Sequence, residues 1–408
     1  MGKTELTSRE RYLITFENQE PDRVPLTFNV PDNCFFNEKI KWHTQLEKAK
    51  LLIDLGLDPT IDIWLPDSVC HPDVTIKTWR SFDKTLGCPI IYKEYHTPKG
   101  ILRQVVKETE DWCSSRHNQW IPTTLGGHDR KTYGMELFDD WNVSRRLEPW
   151  VKGPEDLEKL KYIINVPDGW ILDEWKHDAI RAKEFAEKHG LLTMARRTIV
   201  GDAFQWFCDI PNFLMTMIDD PDFIEEFFDI FHRWAIRQAE IALDIGVDVF
   251  MRRGWYEIPE YFGGGNFEKY LKDSIQEESR LVHQAGSKHC YLLTEGMSRY
   301  IDILEDMDVD ILFGVEPVMG RADLAEMKKR LGSKKTIWGG VSGEITLNSG
   351  TENEIREETR KAIKILAPGG GFVLSPMAGL FYFAGTPWGN VDAMIDEWRK
   401  VGKYPITI

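Results

Sequence analysis

Along most of this chain, apolar residues recur at helical spacing, give way to short runs of β-branched and aromatic residues, then return to helical spacing. The stretch 221–245 carries the helical pattern most fully. Asp220 is placed to cap it, Pro221 suits its first turn and Gly246 ends it. Ile224, Phe227, Phe231, Trp234, Ile241 and Ile245 fall on one face. A capping box at Thr7 and Glu10 opens a first helix with Tyr12, Leu13 and Phe16 on its apolar side. A second box, at Thr351 and Glu354, opens the helix that runs to Leu366. Between the helices lie strand-like runs near 24–30, 191–197, 247–253, 289–294, 309–315, 335–341 and 372–375, with an eighth sought in IDIWLP at 61–66. Repeated helix–strand units with short apolar strands predict an α/β fold, a (β/α)8 TIM barrel, over 1–408 as one domain. A doubly wound open sheet is the alternative. It lacks a G-x-G-x-x-G turn after the first strand and a phosphate-binding loop.

Residues 60–150 break the rhythm. VTIKTWR, IIYKEYHT and ILRQVVKET alternate with a period of two, and PKG joins the last two, which is a hairpin signal. This stretch reads as an irregular excursion inserted in the N-terminal third, serving as a lid or an interface.

Three strand-like runs end in a glutamate: VDVFMRRGWYE at Glu257, CYLLTEG at Glu295 and VDILFGVEP at Glu316. Parallel strands in α/β proteins deliver their chemistry at their C-terminal ends. Three consecutive acids there predict an acidic floor to a shared pocket. Each could instead cap the next helix or pair with Arg196, Arg197, Arg252 or Arg253.

Composition narrows the partners. The 408 residues carry a formal net charge of −15 and a pI near 5.2, the opposite of the Lys/Arg excess that nucleic acids and anionic membranes select. No apolar run approaches the roughly 20 residues of a membrane span, and the first residues lack a signal-peptide core, so a cytoplasmic location is expected. The six cysteines are scattered, with no C-x-x-C, as in a reduced compartment. The 15 Trp, 21 Phe and 12 Tyr leave aromatic side chains available to line a pocket for a flat ligand.

Together, PDRVPL after an N-terminal helix, ALDIGVDVFMRRGW, YLLTEG, DMDVDILFGVEPVMGRADLAEMKKRLG, IWGGVS, TENEIREETRKAIKILAPGGGFVLSP and GNVDAMIDEW resemble the uroporphyrinogen decarboxylase superfamily, in particular its corrinoid-dependent methyltransferase branch. The resemblance spans most of the chain and is strongest from about 220 onward. It implies a distorted (β/α)8 barrel. The family's decarboxylases carry R-x-x-G-R after the first strand, where this chain has FNVPDNCFF. The zinc thiol-methyltransferases carry H-x-C at the end of a strand and a later cysteine; the corresponding positions here are read as Leu293-Thr294-Glu295 and Gly370. Zinc stays open without being favoured, since it usually takes His or Cys ligands.

What remains by resemblance is methyl transfer from a donor to a corrinoid protein. An aromatic methyl ether is the favoured donor, with a methylamine or methanol as alternatives. A decarboxylase of an anionic substrate and a non-catalytic binding subunit are the competing classes. Cleaving an aryl methyl ether leaves a phenolate whose conjugate acid has a pKa of about 10, so a general acid at the ether oxygen, or a Lewis acid, would lower the barrier. Glu257, Glu295, Glu316 and Tyr256 are the catalytic candidates. Trp255, Asn29, Asp32, Arg196, Trp338 and Met377 are the substrate-binding candidates. The chain has no D-x-H-x-x-G corrinoid-binding signature, so the cobalamin is expected on a separate protein at the barrel mouth. A homodimer is left open.

Overall fold

The structure is a computed structural model that describes residues 6–28, 42, 44–66, 68–108, 146–377 and 386–408, with only the backbone of Arg197. Seven parallel strands form one curled sheet in the order β1 (Thr60–Trp64), β6 (Leu192–Ile199), β7 (Val249–Arg253), β8 (Lys288–Leu292), β9 (Ile311–Val315), β10 (Thr336–Ser342) and β11 (Phe372–Met377). The extended segment 24–28 takes the eighth place. Leu26 bridges Leu374 in parallel on one side, and Asp58 donates its N–H to the Leu26 carbonyl on the other at 2.9 Å. The sheet therefore closes as the TIM barrel that the sequence pattern predicts, with Ile61 and Ile63 in the strand sought at 61–66.

The helix signals act where they are written. Thr7 and Thr351 form both capping boxes, Asp220 caps Pro221–Ile245, and Gly246 closes that helix in the left-handed region. Helix Ser8–Phe16 lies across the barrel floor. Its Tyr12 stacks on Trp338 with ring centroids 5.3 Å apart and donates its hydroxyl to the Asp58 carbonyl at 2.7 Å. Buried Met194, Met251, Cys290 and Phe313 fill the interior above it.

Strand alternation sorts the residues of β6 and β7. Met194, Val249 and Met251 pack inside the barrel, whereas Ala195 and Phe250 pack outward against helices. The same parity sends Arg253 inward and Arg252 outward.

The excursion after β1 builds a second sheet. Strands β2 (Thr75–Asp83), β3 (Cys88–Thr97), β4 (Gly100–Lys107) and β5 (Arg146–Glu148) are antiparallel and adjacent in chain order. Buried Tyr95 and Leu102 seat this sheet in the main core, with Tyr95 against Trp150 at 4.8 Å. Among the described residues, no helix is long and apolar enough to cross a membrane.

Candidate active site

The C-terminal ends of β6 and β7 bring together the densest chemistry. After β6 the chain runs Val200-Gly201-Asp202, and after β7 it runs Gly254-Trp255-Tyr256-Glu257. Asp202 is fully buried. Its Oδ1 accepts the Tyr256 N–H at 2.6 Å, which locks the two strand ends together. Its Oδ2 has no hydrogen-bond partner, although Arg253 Nε lies 3.4 Å away in an ion pair. Burial pushes the Asp202 carboxyl up to about 7; Glu257 adds to the rise, while Arg253, the Tyr256 N–H and Arg252 oppose it. A buried carboxyl raised toward neutrality beside a charged partner is a candidate proton-handling group.

Aromatic rings surround this pair. The Arg253 guanidinium sits 5.7 Å from the Trp206 ring, 5.4 Å from Trp255 and 6.0 Å from Tyr256. Trp206 and Tyr256 meet edge to face at 6.0 Å. The cation lies against negative ring faces, and Trp255 also packs against the barrel interior.

The three strand-end glutamates separate in the fold. Glu257 turns outward, away from the barrel interior. It is fully buried and accepts from Gly201 N–H at 2.8 Å, Arg252 Nη2 at 2.8 Å and the Tyr291 hydroxyl at 2.6 Å. The approach is close enough that a Cβ on Gly201 would lie 2.6 Å from its side chain. Arg252 also bonds Glu278 at 2.9 Å and Ser274 at 3.0 Å. Burial opposes ionisation of Glu278, yet Arg252, with His289 and His232, holds its pKa below the ordinary value. This is a closed ionic network between sheet and helices.

Glu295 and Glu316 lie near enough for their charges to interact. Glu316 is buried; its Oε2 accepts the Gly320 N–H at 2.6 Å and its Oε1 has no partner. Partial burial raises the Glu295 pKa, and the charges of Glu260 and Glu316 raise it further against Arg321. Arg321 is held at a φ of 53°, a strained conformation of the kind that collects at functional sites. Exchanging Glu316 for Gln should therefore bring the Glu295 pKa down toward the ordinary carboxylate value. Carboxyl carbon NMR titration reads this directly, and an unchanged Glu295 titration would deny the coupling.

The substrate-binding candidates distribute as follows. Arg196 pairs with Asp62 at 2.8 Å and lines a cavity beside the segment 24–28 with Thr27, Lys48, Asp62 and Trp338. Trp338 stacks on Tyr12 at the barrel floor, and Met377 is buried in the interior at the end of β11. Asn29 and Asp32 lie outside the described residues. Gly370 needs correcting as a counterpart of the ligand set around Glu295. It precedes β11, and a Cβ there would meet the Gln19 backbone at 2.4 Å, so it stands at the opposite end of the barrel. Glu295 follows the C-terminal end of β8. Among the described residues no three His, Cys, Asp or Glu side chains are grouped to hold a metal.

Sequence reading missed Asp202. Nothing in GDAFQWF, the run that holds it, foretells burial against Arg253. The one available signal was its position just past a predicted strand, the same rule that selected the glutamates.

Residues 206–401 match the family model "Uroporphyrinogen decarboxylase (URO-D)". Two curated relatives, each a "Methylcobamide:CoM methyltransferase MtaA" from Methanosarcina barkeri, one of them from strain Fusaro, are 28% identical over 193 residues, 46% of this chain and 51% of theirs. The chain thus spans about half the length of the curated relatives it matches. A "methyltransferase from Methanosarcina mazei" superposes with a TM-score of 0.56 at 18% identity, covering 97% of this chain and 99% of that one, which is a likeness of fold. The family match takes in the strand ends that carry Trp255, Glu295 and Glu316 and begins just after Asp202. Just under half of the chain is thus similar to the uroporphyrinogen decarboxylase family, and a stretch of 193 residues is similar to methylcobamide:CoM methyltransferases.

Proposed function

We propose that this protein moves a methyl group from an O-methylated aromatic compound to the cobalt(I) of a separate corrinoid protein. The observation that carries the reading is the buried Asp202 carboxyl, whose Oδ2 has no hydrogen-bond partner and faces Arg253 in an ion pair, beside the aromatic group of Trp206, Trp255 and Tyr256. The corrinoid supplies the nucleophile that takes the methyl group. The protein's own part is to hold the ring and to neutralise the leaving oxygen. Trp255 and Tyr256 offer flat faces for an aryl ring. A phenolate of pKa about 10 is a poor leaving group, and an acid poised near 7 protonates it readily at neutral pH. Arg253 beside Asp202 supports the carboxylate that remains after the proton has moved. Glu295 and Glu316 supply a second acidic pair on the β8 and β9 side of the mouth.

Pairing of the arginines weighs against a decarboxylase of a polyanionic substrate. Arg196 has Asp62, Arg252 has Glu257 and Glu278, and Arg253 has Asp202. These three cations are already matched within the protein. The test is to mix the purified protein with a cobalt(I) corrinoid protein and a panel of methoxybenzenes, methylamines and methanol, following methyl transfer by the corrinoid's absorption. Transfer from methoxybenzenes alone is expected. No transfer from any of them, together with carbon dioxide release from a porphyrinogen, would sink the reading.

A further inference from the structure

We propose that two copies of this chain associate through β2, which pairs antiparallel with its own copy across a two-fold axis at Trp79. Strand β2 is the outer strand of its sheet and pairs only with β3. Eight of its nine residues, Thr75–Phe82, are exposed. Among the described residues, no hydrogen bond leaves its outer edge for another segment. A long exposed edge with unpaired N–H and C=O groups is a template for another strand.

The side chains favour one register of self-pairing. An antiparallel pair centred on Trp79 sets Ile76 opposite Phe82 twice, once on each side of the axis. These are among the large apolar side chains left in solvent, 47% and 63% exposed. Trp79, 41% exposed, lies flat on Tyr92 at 5.0 Å and 1°, so it meets its counterpart as a fixed plate. Lys77 falls opposite Ser81 and diagonal to Asp83, within the reach of cross-strand charge pairs. Arg80 is already matched by Glu108 in its own sheet at 3.0 Å and faces Thr78. A register centred on Arg80 or on Lys77 would set like charges directly opposite, which is destabilising. The chosen register thus pairs apolar with apolar, complements the charges and joins two four-stranded sheets into one of eight.

The test uses the full chain in sedimentation velocity over a range of micromolar concentrations. A dimer is expected, weakened about 100-fold or more by Ile76→Lys combined with Phe82→Lys. Both sites are exposed, so far-ultraviolet circular dichroism should match wild type. Register is read separately by oxidation. Trp79→Cys is expected to give a disulfide-linked dimer beyond the wild-type background, because that position meets itself on the axis, whereas Lys77→Cys is not. A monomer at every concentration overturns the proposal. So does a dimer indifferent to the double substitution, or cross-linking from position 77 as efficient as from 79.

Discussion

Replacing Arg252 by Met is expected to cost about 3–5 kcal/mol of stability, the range seen when one partner of a buried ion pair is removed. Arg252 is fully enclosed and bridges two fully buried carboxylates, Glu257 and Glu278. Without it both acids are left in an apolar layer between sheet and helices. Urea denaturation followed by circular dichroism measures the loss. The variant Arg252→Met/Glu257→Gln/Glu278→Gln should recover much of it, because uncompensated charge, more than the missing contact, carries the cost. A single substitution that costs less than about 1 kcal/mol, the scale of an exposed pair, would show that water reaches this network.

Asp202→Asn is expected to separate activity from stability. The amide keeps an oxygen to accept the Tyr256 N–H but has no acidic proton to give. Methyl transfer from a methoxybenzene should fall by about 100- to 10,000-fold, the usual contribution of a general acid. In wild type the rate should be high below pH 7 and decline above it as Asp202 loses its proton. Stability should move the other way. Burial lifts this acid from 3.8 to about 7 in the fold. Its neutral form therefore stabilises the protein at low pH, and that contribution is lost as pH rises through about 7. Asparagine does not pay this penalty, so the variant should be the more stable of the two at pH 8 and should lose that advantage at pH 4. Thermal melts at the two pH values check the sign. Equal activity of the variant, or a flat rate profile from pH 6 to 8, would remove Asp202 from the chemistry.

Much of the architecture was legible because local signals and global fold agree here. The boxes at Thr7 and Thr351 and the stop at Gly246 are local hydrogen-bonding and backbone facts, and each sits at a helix end as written. The apolar runs that become β6 to β11 are buried on both faces, so they announce themselves without alternation. The site was less legible. Glu257, Glu295 and Glu316 look equivalent in sequence, each just beyond a strand. In the fold Glu257 is consumed by Arg252, Gly201 and Tyr291, while Glu316 keeps an unpartnered oxygen and its charge acts on Glu295. Gly370 was misplaced because a turn before a strand and a turn after one look alike in a glycine-rich run.

By itself, the sequence determined the helix–strand rhythm, the family it resembles and the rule that chemistry gathers at strand ends, because periodicity, caps and motifs are local properties. Only the tertiary structure decided which charges meet which partners. Arg252 and Arg253 are neighbours with the same side chain, yet strand alternation sends one into a closed ionic layer and the other to Asp202 and three aromatic rings. The elevated pKa of Asp202 likewise arises from burial, supplied by residues distant in sequence that meet only when the barrel closes.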